Sequence, residues 1–401
     1  MMKWAVKNHY TALLLTQKGK VFEKEWKTEL ERNRIRIVFY EEKCIGFDFF
    51  EWDQETKFMW QDYDRVTCIV SYAPEYFVAN ACRKKMKYRY FQIYFYVIHP
   101  LAADYTKLGS VNKVYHKAIL EPLFQSGNLV FMDEETRDYY LCRRQEALRH
   151  HSGTAPQTAC RIVRIGMELK GWDGKAIADK RNSGIFNIMS VCRMEFPFKG
   201  YVLGLVDDFS EICREHKKIR LSIIGDGDDM DILRSKIEAC SPDVKERIEL
   251  LGSVPYKELD AYLKTAHILV GMGTTLLHGA AEGIPCVIAS SYQTGHYACG
   301  MFQEMPGVLG YMIGEGESQR SCFYKEILKV LRLSDSEYAE ICRKTYHEYK
   351  KNYDINECMK KLLEIQTEEG GPDLAKQMYF KMIRFLIEIK KKARKRRKQI
   401  G

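Results

Sequence analysis

The sequence has no long apolar run and no recognisable leader segment. The longest apolar stretch near its start covers residues 11–15, which is too short for the core of a secretory signal. No stretch approaches the roughly eighteen apolar residues that a membrane-spanning helix needs. These absences predict a cytosolic protein, in which thirteen irregularly spaced cysteines are reduced thiols.

The sequence also lacks an internal repeat and any compositional bias typical of disorder or of a fibre. Its 401 residues are 46% hydrophobic and 12% aromatic, as in ordinary globular proteins. That length supports two domains or three.

The positive charge is confined to one end of the chain. The net charge is +9, but residues 376–398 contain eleven Lys or Arg and a single acidic residue, Glu388. The rest of the chain is therefore close to neutral, which is not typical of an enzyme that acts on nucleic acid. An apolar helical pattern followed by eight cations at 390–398 predicts contact with an anionic membrane surface. The basic cluster at 83–89 points the same way, and the alternative is a solvated, disordered tail.

The second half of the chain alternates short apolar runs with helical patterns. Strands are predicted at 185–191, 220–225, 248–251, 268–270 and 285–289. This alternation is the pattern of βαβ units and a parallel sheet. The first half is less regular but has β-rich runs and a helix with its N-cap at Asp133. We expect two α/β domains, at 1–170 and 171–366, and a basic amphipathic tail at 367–401.

Three strand-to-helix turns in the second half share small or cationic residues. Helix starts at the carboxyl edge of a parallel sheet offer backbone N–H groups to a phosphate. Arg and Lys supply the positive charge that a diphosphate needs. The candidates for binding it are Arg193, Lys199, Gly225, Gly227, Gly273, Thr274 and Thr275.

These turns resemble the nucleotide-sugar domain of family 4 glycosyltransferases, which have the GT-B fold. The matching pieces are Cys192-Arg193-Met194 leading to Lys199-Gly200, then Gly225-Asp226-Gly227, and Leu251-Gly252-Ser253-Val254. The resemblance implies two Rossmann-like domains facing across a cleft. It also implies that Arg193 and Lys199 hold the donor diphosphate and that the loop at Val254 contacts the base.

The resemblance breaks down at two acidic positions of the family. Alignment on Gly283 and Pro285 puts His278 where the family has a ribose-binding glutamate. Eight residues earlier, where the family has a glutamate that contacts the sugar, this chain has Val270. We expect His278 to take over the ribose contact, and the contact with the donor sugar has no candidate.

In the first half, His99 follows a strongly apolar strand. Members of the resembled family often have a histidine at this position that faces the donor sugar, so the resemblance makes His99 the candidate catalytic residue. A histidine there can donate a proton to the sugar or to the leaving phosphate. The alternative is a histidine that only caps the strand end.

Two apparent metal motifs do not predict a metal site. Asp226-Gly227-Asp228 follows a strand and opens a helix, where an aspartate acts as an N-cap. Cys142, His150, His151 and Cys160 lack the compact spacing of zinc ligands.

The sequence thus predicts a glycosyltransferase that moves a sugar from a nucleotide-diphosphate-sugar to a hydroxyl of a glycan or lipid-linked glycan. Polysaccharide biosynthesis at the inner face of a membrane is the expected setting, without a cofactor or a metal. Retention of anomeric configuration is implied by the resemblance alone. The alternatives are a nucleotide-sugar epimerase of the same fold and a non-catalytic subunit that binds the donor.

Overall fold

The computed structural model forms two compact units. It describes residues 1–19, 24–44, 49–52, 62–104, 109–147, 160–169, 171–172, 184–311, 321–365, 377–387 and 389–390. The first unit combines Met1–Val163 with Met359–Gly401, and the second is Arg164–Cys358. The chain therefore enters the second unit slightly before the expected boundary at 170, and its last part belongs with the first unit.

The first unit contains two sheets. The strands are β1 Leu13–Gln17, β2 Arg36–Cys44, β3 Phe49–Trp52, β4 Asp62–Val70, β5 Lys87–Val97, β6 Leu129–Phe131 and β7 Arg161–Ile162. Strands β4 to β7 are parallel and lie in chain order, while β1, β2 and β3 form the other sheet. Because both faces of a parallel sheet are covered, the last five residues of β5 are all buried.

The helices of the first unit connect and cover these strands. They are Met2–Lys7, Lys24–Arg32, Ala73–Lys85, Gly109–Tyr115, Glu121–Gln125, Glu134–Ala147 and Ile355–Leu363, which begins in the second unit, with a 3-10 turn at Pro100–Ala103 and a π-helical turn at His116–Leu120. The predicted cap at Asp133 is confirmed, since its Oδ1 accepts a hydrogen bond from the Thr136 N–H at 2.7 Å. Residues 377–387 are also helical, and Phe380 on this helix is fully buried in the core of the unit.

The second unit is a seven-stranded sheet with helices on both faces. Its strands are β8 Phe186–Val191, β9 Ile219–Ile224, β10 Ile248–Gly252, β11 Ile268–Gly271, β12 Cys286–Ala289, β13 Tyr297–Met301 and β14 Ser321–Cys322. Their order is β10-β9-β8-β11-β12-β13-β14, and the first five are parallel. All five predicted strands of this half are confirmed, and three of them, β9, β11 and β12, are almost entirely buried, as the inner strands of a covered parallel sheet are.

The side chains of successive strand residues belong to two separate apolar clusters in the core of this unit. Ile188 and Val270 belong to one apolar cluster, whereas their neighbours Met189 and Leu269 belong to another. Successive side chains on a strand point to opposite faces, so the clusters lie on the two sides of the sheet. The covering helices are Tyr201–Glu215, Met230–Glu238, Pro242–Lys245, Leu259–Leu263, Thr274–Ala281, Phe323–Leu331 and Asp335–Tyr353, with a 3-10 turn at Phe302–Glu304.

Asp229 occupies the N-cap position of the Met230–Glu238 helix, but its side chain does not cap that helix. Its carboxylate accepts a hydrogen bond at 2.6 Å from the backbone N–H of Phe196. The carboxylate therefore links the turn after β8 to the start of the helix after β9. In the described parts of the chain, no helix is both long and apolar enough to cross a membrane.

His116 is a buried histidine that the fold keeps neutral. The side chain is 2% exposed, and its ring stacks on that of Tyr140 with centroids 5.6 Å apart. Burial lowers the pKa of His116 to about 4, although the charge of Asp104 acts in the opposite direction. Below pH 6.5 an unfolded chain therefore binds a proton here that the folded chain does not.

We predict that this histidine makes the protein less stable in acid. As the pH falls from about 6.5 to about 4, the free energy of unfolding should drop by up to about 3 kcal/mol from this group. His116→Phe keeps an aromatic ring against Tyr140 and should remove that part of the pH dependence. Denaturant titrations at several pH values test this, with exposed His347→Phe as the control. An unchanged pH dependence in His116→Phe would contradict the assignment.

Candidate functional site

The predicted turns lie together at one edge of the second sheet. Strands β8, β9 and β11 are parallel neighbours, so the segments that follow them leave the sheet at the same edge. The chain order reverses between β8 and β11. In open α/β sheets such a reversal separates the adjoining helices and opens the crevice in which ligands bind.

Two glycines allow the turns after β8 and β9 to pack backbone against backbone. A Cβ on Gly225 would lie 1.7 Å from the carbonyl oxygen of Cys192, and one on Gly227 would lie 2.4 Å from that of Met194. The N–H of Gly225 donates to the carbonyl of Gly252 at 2.8 Å. The N–H of Gly227 donates to the side chain of Asp226, also at 2.8 Å. The structure thus gives these glycines a packing role, and their contact with phosphate stays a prediction.

The turn after β11 presents a helix start. Gly273 has a φ of 66° and donates its N–H to the carbonyl of Leu309 at 2.7 Å. The hydroxyl of Thr275 donates to the carbonyl of Met272 at 2.8 Å. The Thr274–Ala281 helix begins here with an exposed Thr274. Its first N–H groups cannot be paired within the helix, so this turn has the donors that an anion requires.

Tyr201 connects this turn to the turn after β8. Its hydroxyl lies 3.2 Å from that of Ser190 on β8. The same hydroxyl is 3.9 Å from the position that a Cβ on Gly271 would take. The two turns on either side of the reversal are therefore close neighbours, as the prediction requires.

Arg193 and Lys199 lie in the segment between β8 and its helix. Arg193 is exposed and Lys199 is half-buried. Burial lowers the pKa of the Lys199 ammonium group, and the nearby charge of Arg193 lowers it further. The carboxylate of Glu195 acts in the opposite direction on this pKa, but neither cation forms an ion pair among the residues that the structure describes. An anion bound here would relieve the repulsion between the two cations.

Val254 and His278 lie on the other side of the predicted site. Val254 packs against the apolar cluster that contains Leu276. The ring of His278 meets that of Tyr256 edge to face, with centroids 5.5 Å apart. Tyr256 is 72% exposed, and the sequence reasoning did not single it out. The sequence signal for Tyr256 was its position two residues after Val254, where the ring of an exposed tyrosine can stack on a base.

His99 lies in the first unit, at the end of β5. Its Nδ1 accepts a hydrogen bond at 3.1 Å from the backbone N–H of Leu101, so the histidine caps the 3-10 turn. Burial lowers its pKa, which favours the neutral ring with the proton on Nε2. The capping alternative is therefore realised, and the catalytic role of His99 stays a prediction.

Tyr292 and Tyr311 also border these turns and were missed. Tyr292 has a φ of 55°, and its N–H donates to the carbonyl of Phe198 at 3.0 Å, next to Lys199. A Cβ on Gly273 would lie 2.4 Å from the hydroxyl of Tyr311. Both contacts join residues that are far apart in the sequence, so no local sequence pattern predicts them.

The described residues contain no group of three or more His, Cys, Asp or Glu side chains arranged to hold a metal ion. His150 and His151 lie outside the described residues.

A family of known proteins matches the part of the chain that carries these turns. The family model described as "Glycosyl transferases group 1" matches residues 186–331. This segment is therefore similar to group 1 glycosyltransferase domains. Comparison of the whole sequence with curated proteins finds no match.

Solved structures extend the similarity of this glycosyltransferase domain to the fold of the whole chain. Anabaena HepE, in complex with UDP and glucose, has a TM-score of 0.54 and 12% identity, covering 88% of this chain and 98% of that one. A glycosyltransferase from Rickettsia africae has a TM-score of 0.56 and 13% identity, covering 90% and 91%. A trehalose-6-phosphate synthase, studied for glycosyltransfer with retention, has a TM-score of 0.52 and 14% identity, covering 91% and 96%. The predicted GT-B fold is confirmed.

The backbone packing of the site predicts a steep cost for one methyl group. Gly225→Ala should lower the free energy of unfolding by about 3 kcal/mol or more, because its Cβ would overlap the Cys192 carbonyl. Gly252→Ala is the matched control, since Gly252 also has a positive φ but has nothing within 4 Å of its Cβ position. The control should cost only about 1 kcal/mol. Equal losses of unfolding free energy in the two variants, measured by denaturant titration, would contradict the prediction, because the structure would then have relieved the overlap.

Proposed function

We propose that the protein transfers a sugar from a nucleotide-diphosphate-sugar to a hydroxyl of a glycan or lipid-linked glycan. The family match of the second unit supports the reaction class. HepE, which shares the fold, was solved with UDP and glucose, and this supports a nucleotide diphosphate as the leaving group. We further propose that the chain is a family 4-like enzyme and retains anomeric configuration, as in the glycosyltransfer studied for the trehalose-6-phosphate synthase.

One observation carries the proposal. Arg193 and Lys199, which form no ion pair with another described residue, follow β8, the Thr274–Ala281 helix follows β11, and the strand order reverses between these two parallel neighbours. Two cations and a helix N-terminus are suited to a group with several negative oxygens. Few ligands other than a diphosphate would use all three.

In the proposed reaction, the bond between the sugar C1 and the diphosphate breaks, the acceptor oxygen forms the new bond to C1, and the proton of the acceptor hydroxyl passes to the departing diphosphate. The diphosphate leaves with the bonding electrons and gains negative charge. Arg193, Lys199 and the N–H groups of Thr274 and Thr275 stabilise this charge, while Gly273, whose own N–H is bonded to Leu309, shapes the turn. Since these groups supply the positive field, we propose a metal-independent transfer without a cofactor.

The remaining predicted residues bind the donor and assist the transfer. We propose that His278 contacts the ribose and Tyr256 the base of the nucleotide, with Val254 contacting the base through its backbone; the contact between the rings of Tyr256 and His278 supports this. Gly225 and Gly227 keep the adjoining turns close. His99, neutral with its proton on Nε2, donates to the sugar or the departing phosphate. We propose that the acceptor belongs to a polysaccharide pathway at the cytoplasmic face of a membrane.

A second function is a non-catalytic subunit that binds the donor. The observation that favours it is Val270, which occupies the place of the family's sugar-contacting glutamate and is fully buried within β11. Calorimetry that shows donor binding, together with no turnover over a panel of acceptors, would favour this alternative. Transfer of sugar to any acceptor would exclude it.

A panel of nucleotides tests the ligand class directly. Thermal unfolding should shift upward with UDP or GDP, and with the matching nucleotide-sugar, but not with NAD. The reason is that ligands of the folded state alone stabilise it in proportion to the logarithm of their concentration. A panel with no shift at all would refute the proposed function.

Arg193→Ala tests the diphosphate contact itself. We expect nucleotide-diphosphate binding to weaken by about 1.5–3 kcal/mol, the range for a hydrogen bond to a charged group. Arg234→Ala is the matched control, because Arg234 is an exposed arginine of the same unit on the Met230–Glu238 helix. Calorimetric titration of both variants measures the difference. Unchanged affinity in Arg193→Ala would remove this residue from the site.

A further inference from the structure

The helix at 377–387 has two faces of different character. Its inner face packs against the first unit through one buried aromatic ring and one buried ion pair. Phe380 is fully buried, and its ring stacks on that of Tyr115 with centroids 5.4 Å apart. The guanidinium of Arg384 bonds to the carboxylate of Glu42 at 2.8 Å, and both side chains are over nine-tenths buried. The orientation of the helix is therefore set by the core of the unit.

The outer face carries a stripe of exposed apolar side chains. Five side chains form this stripe, and each is between 47% and 62% exposed. They are Met378, Tyr379, Met382, Leu386 and Ile389. They make up five of the sixteen large apolar side chains that are exposed in the described residues. Spacings of three and four keep them on one side of a helix. The sequence predicted most of this stripe, but only the structure shows that the stripe faces solvent rather than the core.

We propose that this stripe docks on an anionic lipid surface and places the first unit against the membrane. Contiguous apolar surface on a protein marks a contact site. The chain continues directly from the stripe into the eight cations at 390–398. An apolar face that adjoins a dense run of cations suits the headgroup boundary of an anionic bilayer, where apolar side chains enter and cations meet lipid phosphates.

A second copy of this chain fits the stripe less well. Pairing two copies through it would bring two runs of eight cations close together, and their repulsion opposes such a contact. The inference builds on the membrane association in the proposed function. Its test nevertheless needs no nucleotide and no sugar transfer, so either idea can fail without the other.

The test measures binding of the full chain to vesicles by co-sedimentation. One set contains phosphatidylcholine alone, and the other also contains about a third phosphatidylserine. The double variant Met382→Gln with Leu386→Gln removes apolar surface without changing charge. We expect binding to the anionic vesicles to fall about tenfold in the double variant, because two side chains lose their apolar contact with the bilayer.

The matched control is Ile232→Gln. Ile232 is 51% exposed, as Met382 is, but it belongs to the second unit. Its substitution should leave vesicle binding unchanged. Thermal unfolding and nucleotide binding of the double variant should equal those of the wild type, since the substituted side chains are half-exposed and remote from Arg193 in the sequence.

Three outcomes would overturn the inference. The first is equal vesicle binding by the wild type and the double variant. The second is equal wild-type binding to neutral and anionic vesicles, which would show that the cations play no part. The third is a dimer of the wild type, measured by sedimentation without vesicles, that the double variant converts to a monomer. In that case a second copy would be the partner of the stripe.

Discussion

The edge of the second sheet depends on backbone segments that approach too closely for a single added carbon atom. The turn after β9 lies directly on the turn after β8, and glycine is required at Gly225 because a Cβ would overlap a carbonyl oxygen. Hydrogen bonds from Met194 and Cys192 to the carbonyls of Asp226 and Ile224 hold the two segments together. The position of Arg193, between Cys192 and Met194, follows from this packing. The cation is thus placed by backbone contacts rather than by a partner of its own.

The electrostatics of the site follow from the same arrangement. Lys199 is half-buried and close enough to Arg193 for the second charge to lower its pKa. A protein that keeps two cations together at such an edge loses some stability by doing so. A polyanionic ligand would recover that loss on binding. The helix start at Thr274 adds donors that remain available because they belong to the first turn of a helix.

In the first unit, one helix both packs into the core and exposes an apolar surface to solvent. The helix at 377–387 completes the core through Phe380, and the buried pair between Arg384 and Glu42 specifies its orientation. The opposite face is then left with exposed apolar side chains. Because the helix packs against the core through its other face, this exposed apolar face is available to a binding partner.

The sequence by itself determined the architecture of the second unit and its candidate ligand edge. Parallel strands are short, mainly apolar runs, and small residues at their ends are local signals, so the five parallel strands from β8 to β12 and the turns that follow them could be predicted. Phosphate binding at these turns stays a prediction. The cap at Asp133 was likewise local. Tertiary structure alone decided the rest. It used Asp229 to hold the β8 turn rather than to cap its helix, and it brought Tyr256 against His278. It also turned the apolar stripe of the last described helix toward solvent. Each of these depends on contacts between residues distant in the chain, which periodicity and spacing do not encode.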